Sequence, residues 1–263
     1  MHHRNRIAPT SCLATCILTT GIATSVHAQG FATEVVEYVA GPGVTPGMGF
    51  GIPARALGGP QGEGHDNGSL DILVLGAGGH VTLGFGGTIF DAPGPDLTVF
   101  ENGFWFGGGF YGELMFVEVS SDGFNWARFP SRCDISTPLG LFDTYDPALV
   151  GGLAGNREIY ANVVTNMIDP FDPAVSGGDA FDLADLAADP LVVGGQVNVA
   201  AIRFVRLVDV IGDGTVTDST GDPIYDPTSA TASADLDAVA AIHFDATVAS
   251  ENATWTRMKG FWR

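Results

Sequence analysis

The chain has 263 residues, with 30 Asp and Glu against 11 Lys and Arg and a formal net charge of −19. A pI near 4.3 argues against nucleic-acid binding, because neutralising phosphates requires clustered Lys and Arg. Hydrophobic residues make up 45% of the chain, which supports a packed core and argues against global disorder.

The first residues have the features of a signal peptide. Arg4 and Arg6 form a basic start, residues 12–26 are apolar and small, and residues 26–28 fit a cleavage site. We therefore predict that residues 1–28 are removed on export and that the protein is secreted or at the cell surface. A short membrane anchor is the alternative, although this stretch is short and rich in Thr for a bilayer span. No later stretch is apolar enough to predict a membrane span.

The rest of the chain suits one large domain. Cleavage would leave Cys133 as the only cysteine, so we expect no intramolecular disulfide. Residues 29–248 are assigned to the domain. Residues 249–263 are basic and aromatic, and we interpret them as a tail outside the core.

Short apolar runs bounded by Gly, Pro, Asn or Asp predict strands in chain order. These runs cover residues 70–75, 80–85, 96–101, 114–120, 126–129, 201–210 and 236–244. The turn at 121–123 predicts a hairpin, and residues 181–188 are the best helix candidate. We expect residues 130–178 to form a long loop over one face of the domain. Together the elements predict an all-β fold, an antiparallel β-sandwich of jelly-roll type.

Several segments carry a resemblance to a protein family. They are HVTLGFGGTIFDAPGPDLTVFENGF (80–104), ELMFVEVSSDGFNWARFP (113–130), GLAGN (152–156), FDLADL (181–186), IRFVRLVDVIGDG (202–214), DPIYDP (222–227) and DLDAVAAIH (235–243). As a set, across residues 70–244, they resemble exported bacterial cell-surface proteins of the PEP-CTERM type. The resemblance implies an extracellular β-sandwich with no established catalytic activity. The Pro-Glu-Pro sorting signal of such proteins has no counterpart in this sequence.

The segment DAPGPDLTVFEN (91–102) is the first candidate calcium site. Its candidate ligands are Asp91, Asp96, Glu101 and Asn102. Calcium takes six to eight oxygen ligands, often from Asp, Asn and loop carbonyls. A Gly-Pro bend can fold Asp91 back towards Asp96. The alternative is turn chemistry, in which Asp accepts hydrogen bonds from nearby amides.

Aspartates also recur along VDVIGDGTVTDSTGDPIYDP (208–227). They are Asp209, Asp213, Asp218, Asp222 and Asp226. Like charges this close repel unless water or a cation separates them. The spacing is not that of an EF-hand, because the third position is Ile211. An irregular calcium loop that includes Asp209, Asp213 and Asp218 is one interpretation, and a solvated acidic loop is the other.

Asp235 and Asp237 form a third acidic group. Strand alternation places both on one side of the chain. A cation shared with another loop explains the pair as well as plain solvent exposure does.

Arg206 shares strand parity with apolar Phe204 and Val208, so we expect it to face the apolar side. A buried guanidinium needs a carboxylate, and Glu101 and Glu118 are the candidates.

Catalytic patterns are weak. The sequence contains no HExxH and no GxSxG motif. The glycine run at 76–79 leads into a predicted strand rather than a helix, so it is not a dinucleotide loop. We therefore expect a protein that is not an enzyme. Because two carboxylates suffice for glycoside hydrolysis, a glycan-active enzyme stays an alternative, as does a purely structural surface or matrix protein.

An aromatic loop, NGFWFGGGFYG (102–112), is the candidate ligand-binding surface. Displayed rings stack on sugars or insert into a partner. Trp105 and Tyr111 are the candidate ligand-binding residues, whereas Phe104 and Phe106 are expected in the core; packing of all the rings is the alternative. The predicted function is an exported, non-catalytic, calcium-binding domain that engages an extracellular glycan or a surface protein.

Overall fold

The structure is a computed structural model that describes residues 30–227 and 233–246. The predicted signal peptide and the predicted tail therefore lie outside the described residues. The described strands are β1 (Ala32–Val39), β2 (Leu73–Val74), β3 (His80–Ile89), β4 (Leu97–Glu101), β5 (Phe104–Phe106), β6 (Gly109–Tyr111), β7 (Met115–Ser120), β8 (Ala127–Arg128), β9 (Arg132–Cys133), β10 (Val150–Gly151), β11 (Asp179–Phe181), β12 (Ile202–Asp209), β13 (Asp213–Thr217), β14 (Pro223–Tyr225), β15 (Asp235–Ala241) and β16 (Phe244–Asp245).

Helices in the described part of the chain are short. They are α1 (Pro190–Val193) and the 3₁₀ turns Pro53–Ala56, Pro147–Leu149, Leu183–Leu186 and Val199–Ala201. The helix candidate at 181–188 is thus a single 3₁₀ turn, which begins where the Asp182 side chain accepts from the Ala184 N–H. Among the described residues, no helix is long and apolar enough to cross a bilayer.

Two antiparallel sheets carry the fold, and the all-β prediction is confirmed. The larger sheet has the order β1-β3-β12-β7-β8, with β16 also paired to β3, and the smaller has the order β11-β4-β15-β2. One hydrophobic cluster takes members from both sheets, among them Leu83 and Leu207 of the larger and Val99 and Val239 of the smaller. Burial of this shared apolar surface is the main force that holds the sheets together.

The long loop predicted at 130–178 does cover a sheet face. Leu97 and Val99 of β4 belong to the main cluster, whereas Phe100 packs with Ile159 and half-buried Phe171 from the loop. All five residues of β4 are therefore buried. The loop closes the outer face of the smaller sheet and encloses the end of β4.

Arg206 on β12 corrects a predicted side-chain direction. Val205 and Leu207 face the main cluster, because a bulge between Ile202 and Phe204 shifts the alternation of the strand. Arg206 is partly exposed on the other face. Its guanidinium lies 3.8 Å from the centroid of the Trp126 ring and 3.6 Å from Glu118 Oε2. The pairing with Glu118 is confirmed, but the expected burial and the Glu101 alternative are wrong.

Candidate metal centre

Three carboxylates converge where β4 ends and β15 begins. Glu101 pairs in register with Leu236, and the Asp235 N–H donates to Glu101 Oε1 at 3.3 Å. Glu113 reaches the same region from the short segment between β6 and β7. Glu101 and Glu113 are only 2% and 6% exposed. We call Glu101, Glu113 and Asp235 the carboxylate centre.

Burial raises the pKa of every carboxylate of the centre, and neighbouring carboxylates raise those of Glu101 and Glu113 further. Burial, and then the charges of Glu113 and Asp235, raise the pKa of Glu101 well above its usual range. Burial, and then Asp235, Asp226 and Asp209, raise the pKa of Glu113 to about 10. Burial raises the pKa of Asp235 to about 6. The centre is therefore a single electrostatic group in which full ionisation is unfavourable without a compensating charge.

Hydrogen bonds compensate this group only in part, and no basic side chain of the described residues pairs with it. Glu101 Oε2 is buried and has no hydrogen-bond partner among the described residues. Glu113 Oε1 accepts a long bond of 3.4 Å from the Tyr111 hydroxyl. In the described ranges, no ion pair within 4.0 Å joins an Arg or His to any carboxylate of the centre. Buried charges without partners are costly, so these groups either stay protonated or bind a cation.

Tyr111 and Asn102, which the sequence predicted as ligand-binding and metal-binding residues, are both half-buried beside the centre. Tyr111 is half-buried, and burial followed by the charge of Glu113 raises its pKa above the usual range. Asn102 accepts from the Ser69 N–H through Oδ1 and donates to Asp235 Oδ2 at 3.3 Å. The side-chain oxygen of Asn102 is thus already engaged by Ser69, and its side-chain N–H holds Asp235 in place.

Asp209 and Asp226 lie next to the centre and fix the chain around it. Asp209 accepts from the N–H groups of Gly78 at 2.8 Å and Ala234 at 2.7 Å. Asp226 accepts from the Leu114 N–H at 3.0 Å. Burial is the main cause that raises the pKa of each aspartate to about 7. Asp209 thus belongs with the centre and not with the loop acids that follow it.

The predicted loop site at 209–218 is not brought together. Asp213 is exposed, and hydrogen bonds from the Thr215 hydroxyl and N–H lower its pKa. Asp218 accepts from the Cys133 N–H at 2.9 Å and from the Thr220 hydroxyl at 2.8 Å. These two aspartates accept hydrogen bonds from nearby groups of the chain. The alternative of a solvated acidic loop fits exposed Asp213 but not Asp218, which is 7% exposed.

Asp91 and Asp96 form a separate acidic group with Asp182. Their ligand atoms lie within 4.8 Å of one another, and no other group of three or more such residues in the described part of the chain is as close. Asp96, however, is fully buried and well supplied with partners. These are the Ala92 N–H at 3.0 Å, the Leu183 N–H at 2.7 Å and His243 Nδ1 at 2.6 Å. Asp96 therefore needs no cation, and Glu101 and Asn102 are not part of this group.

Asp235 and Asp237 have different partners. Asp237 is 1% exposed and accepts from the Gln61 N–H at 3.0 and 3.2 Å. Burial raises its pKa to about 7. A bulge between Leu236 and Ala238 interrupts the strand at this point. The expected pair does not form one site, because Asp235 joins the centre and Asp237 does not.

Trp105 is half-buried on the β5–β6 hairpin. Its ring stacks on His65 at 5.5 Å and meets Phe110 edge-on at 5.9 Å. Phe104 is half-buried, but Phe106 is 56% exposed. The core prediction for Phe106 is therefore wrong, because the hairpin turns Trp105 towards the protein and Phe106 outward.

Glu113 is the ligand candidate that the sequence reasoning missed. It stands alone in front of the most apolar strand, β7, and carries no acidic neighbour to mark it. An isolated carboxylate at the entry of a buried strand is the signal that could have found it, since a charge at such a position needs a partner.

The chain matches no family model, no curated protein and no solved structure. The resemblance to exported cell-surface proteins therefore stays a prediction.

Proposed function

We propose that the chain is an exported, non-catalytic β-sandwich domain of jelly-roll type that binds calcium at the carboxylate centre and engages an extracellular ligand such as a glycan. The observation that carries the calcium proposal is Glu101 Oε2, a buried carboxylate oxygen without a partner among the described residues. Native proteins rarely bury such an atom without a partner, and a bound cation is one way in which it is satisfied.

The donor set favours calcium over softer metals. Glu101, Glu113 and Asp235 together offer carboxylate oxygens only, which suit a hard cation, whereas zinc and copper favour sites that include His or Cys. The oxygens of the centre are spaced more widely than those of the Asp91 group. Binding therefore requires that the side chains rotate inward, and the long Glu side chains allow such a movement.

A cation at the centre would join distant parts of the chain. It would link the end of β4, the start of β15 and the segment between β6 and β7. In the described part of the chain, Cys133 is a free, buried cysteine, so a disulfide does not serve this purpose there. A ligand that binds only the native state stabilises it by RT ln(1+[L]/Kd).

The position of Glu101 and Glu113 supports a non-catalytic role for the carboxylate centre; among the acids whose pKa is raised, Asp179 does line a described cavity. A glycosidase needs both of its carboxyl groups at the sugar-binding groove. Glu101 and Glu113 line none of the four described cavities. A purely structural surface protein is the second candidate, because a buried calcium site serves that role equally well; ligand binding separates the two.

Calorimetric titration of the chelator-stripped mature chain with calcium chloride tests the proposal. We expect one site, with a Kd on the order of 10⁻⁴ to 10⁻³ M, as in extracellular modules. Glu101→Gln should abolish the heat of binding, whereas Asp91→Asn should preserve it. Absence of binding in the unmodified chain at millimolar calcium would contradict the proposal.

Export has its own test. We expect secreted protein to lack residues 1–28, because their charge and apolar pattern is that of a signal peptide. Intact-mass measurement decides this, and a secreted mass that retains Met1 would contradict it.

A further inference from the structure

An extended groove runs beside the β5–β6 hairpin. It consists of adjoining cavities of about 500, 430 and 240 Å³. Trp105 lines the first two, and Asn156 and Arg157 line the last two. Neighbouring cavities share lining residues and so lie in a row. A row of adjoining cavities suits the successive units of an extended chain better than one compact ligand.

The middle cavity has two polar side chains with unused hydrogen-bonding capacity. Asn156 is 9% exposed, and its Nδ2 donates to the carbonyl oxygens of Pro147 at 3.0 Å and Val150 at 3.3 Å. These bonds fix the amide orientation and leave Oδ1 without a donor. The Trp105 Nε1–H also has no partner. Both atoms are buried behind the cavity lining, so a ligand hydroxyl, which both donates and accepts, reaches them only when the Trp105 or Asn156 side chain shifts towards the cavity.

Aromatic and charged groups complete the same cavity. Tyr160 is exposed, and its hydroxyl donates to Glu158 Oε1 at 2.6 Å. Burial alone would raise the pKa of Glu158, but the Tyr160 hydrogen bond, the Glu158 backbone N–H and the nearby Trp105 indole outweigh it, so the pKa is lowered. Arg157 is exposed and makes no hydrogen bond or salt bridge with the described residues. The cavity thus presents two rings, one cation and one anion.

We propose that this groove binds a neutral polysaccharide chain. The rings of Trp105 and Tyr160 offer apolar faces for sugar rings, while Asn156, Arg157 and Glu158 bind hydroxyl groups. A polyanion is disfavoured by Glu158 in the cavity and by the net charge of −19. A neutral polysaccharide would be the extracellular ligand of the proposed function. This proposal rests on that ligand-binding part of the function and is independent of calcium binding.

Affinity electrophoresis of the mature chain tests the groove. The gels contain hydroxyethylcellulose, xylan, galactomannan, laminarin or, as the anionic probe, polygalacturonate. We expect retardation by at least one neutral polymer, with the affinity reduced at least about tenfold in Tyr160→Ala and Asn156→Ala, since aromatic and buried polar anchors dominate recognition. Phe124→Ala is the matched control, because Phe124 is 88% exposed and does not line the groove.

Folding and calcium binding are separated from ligand binding in the same experiment. Trp105→Phe keeps the packed ring but removes the N–H, and it should weaken binding without lowering the melting temperature much. Each gel is run with calcium and with EDTA, so a failure of calcium binding leaves the groove testable. The inference is overturned if no neutral polymer retards the chain in either condition, if only polygalacturonate does, or if the groove variants bind like the Phe124→Ala control.

Discussion

The two acidic groups of the protein differ in where their hydrogen bonds come from. Asp96 lies in a buried pocket where two backbone amides and His243 approach its carboxylate. Glu101 is equally buried, but one of its oxygens has no donor among the described residues and its nearest charges are other carboxylates. If the distance between oxygens were the only criterion, the Asp96 group would be the better cation site. The balance of hydrogen-bond donors and charges instead favours the centre at Glu101 as the cation site.

This difference shows how a buried acid becomes structural or cation-binding. A carboxylate that accepts several amide hydrogen bonds is stabilised by the protein itself. One that faces other carboxylates must give up its charge or bind a cation, because desolvation without compensation costs several kcal/mol. The comparison therefore predicts opposite responses of the two groups to mutation and to calcium.

The largest expected effect is at Asp96. Asp96→Ala leaves the buried Leu183 N–H and the Ala92 N–H without their acceptor, and we expect a loss of roughly 2–6 kcal/mol in the free energy of unfolding. Urea denaturation should give the same loss with calcium and with EDTA. A loss that appears only with calcium would show that Asp96 is a cation ligand.

The next effect is at Glu101. In calcium at about one hundred times Kd, Glu101→Gln should lose about 2.7 kcal/mol, the stabilisation that binding supplies. In EDTA the variant should unfold like the unmodified chain, because the raised pKa of Glu101 already keeps it neutral. Asp91→Asn is the matched control and should retain the calcium response; equal behaviour of the two variants would contradict the comparison.

Asp179 is a third buried acid, with two amide donors, and it makes the stability of the protein depend on pH. It accepts from the N–H groups of Gly155 at 2.9 Å and Asn156 at 2.8 Å, yet burial raises its pKa to about 7. In the unfolded chain Asp179 loses its proton near its usual pKa of about 4, whereas in the folded state it keeps the proton up to about pH 7. The contribution of Asp179 to the free energy of unfolding therefore falls as pH rises from about 4 to about 7.

The decline that Asp179 causes in the free energy of unfolding is at most about 1.4 kcal/mol per pH unit. Melting curves in EDTA between pH 4.5 and pH 8 measure it, and Asp179→Asn should flatten the curve because its amide does not titrate. An unchanged slope in the variant would mean that Asp179 is ionised throughout.

The smallest effect is at Arg206, a charge on the outer face of the larger sheet. Its stacking on Trp126 and its pairing with Glu118 are partly exposed, so Arg206→Ala should cost about 0.5–1 kcal/mol. Arg206→Lys, which keeps the charge, should recover only part of this loss, because Lys lacks the planar group that stacks. A loss above about 3 kcal/mol in urea denaturation would show that Arg206 is buried after all.

Much of the fold followed from local sequence patterns. Apolar runs between turn residues placed β7 and β12 to within a residue or two of their observed ends. The same logic missed β1, because most of its side chains are exposed and the sequence ATEVVEYV does not alternate clearly. The predicted side-chain direction of Arg206 was also wrong, because the spacing of apolar residues in the sequence does not reveal a bulge that reverses strand alternation.

The candidate site was less predictable because distant chain segments form it. Glu101 and Asp235 were recognised as candidates, but in separate local groups, and only the pairing of β4 with β15 brings them together. Local spacing instead grouped Asp209 with Asp213 and Asp218. Glu113 gave no cluster signal at all, and its role depends on the packing of one loop against two strands.

Anomalous diffraction from crystals of the mature chain grown in calcium tests the central claim most directly. The account predicts a calcium peak between the carboxylates of Glu101, Glu113 and Asp235, with oxygen distances of about 2.3–2.6 Å, and no peak beside Asp96. A peak among Asp91, Asp96 and Asp182, or no peak at the carboxylate centre, would contradict it.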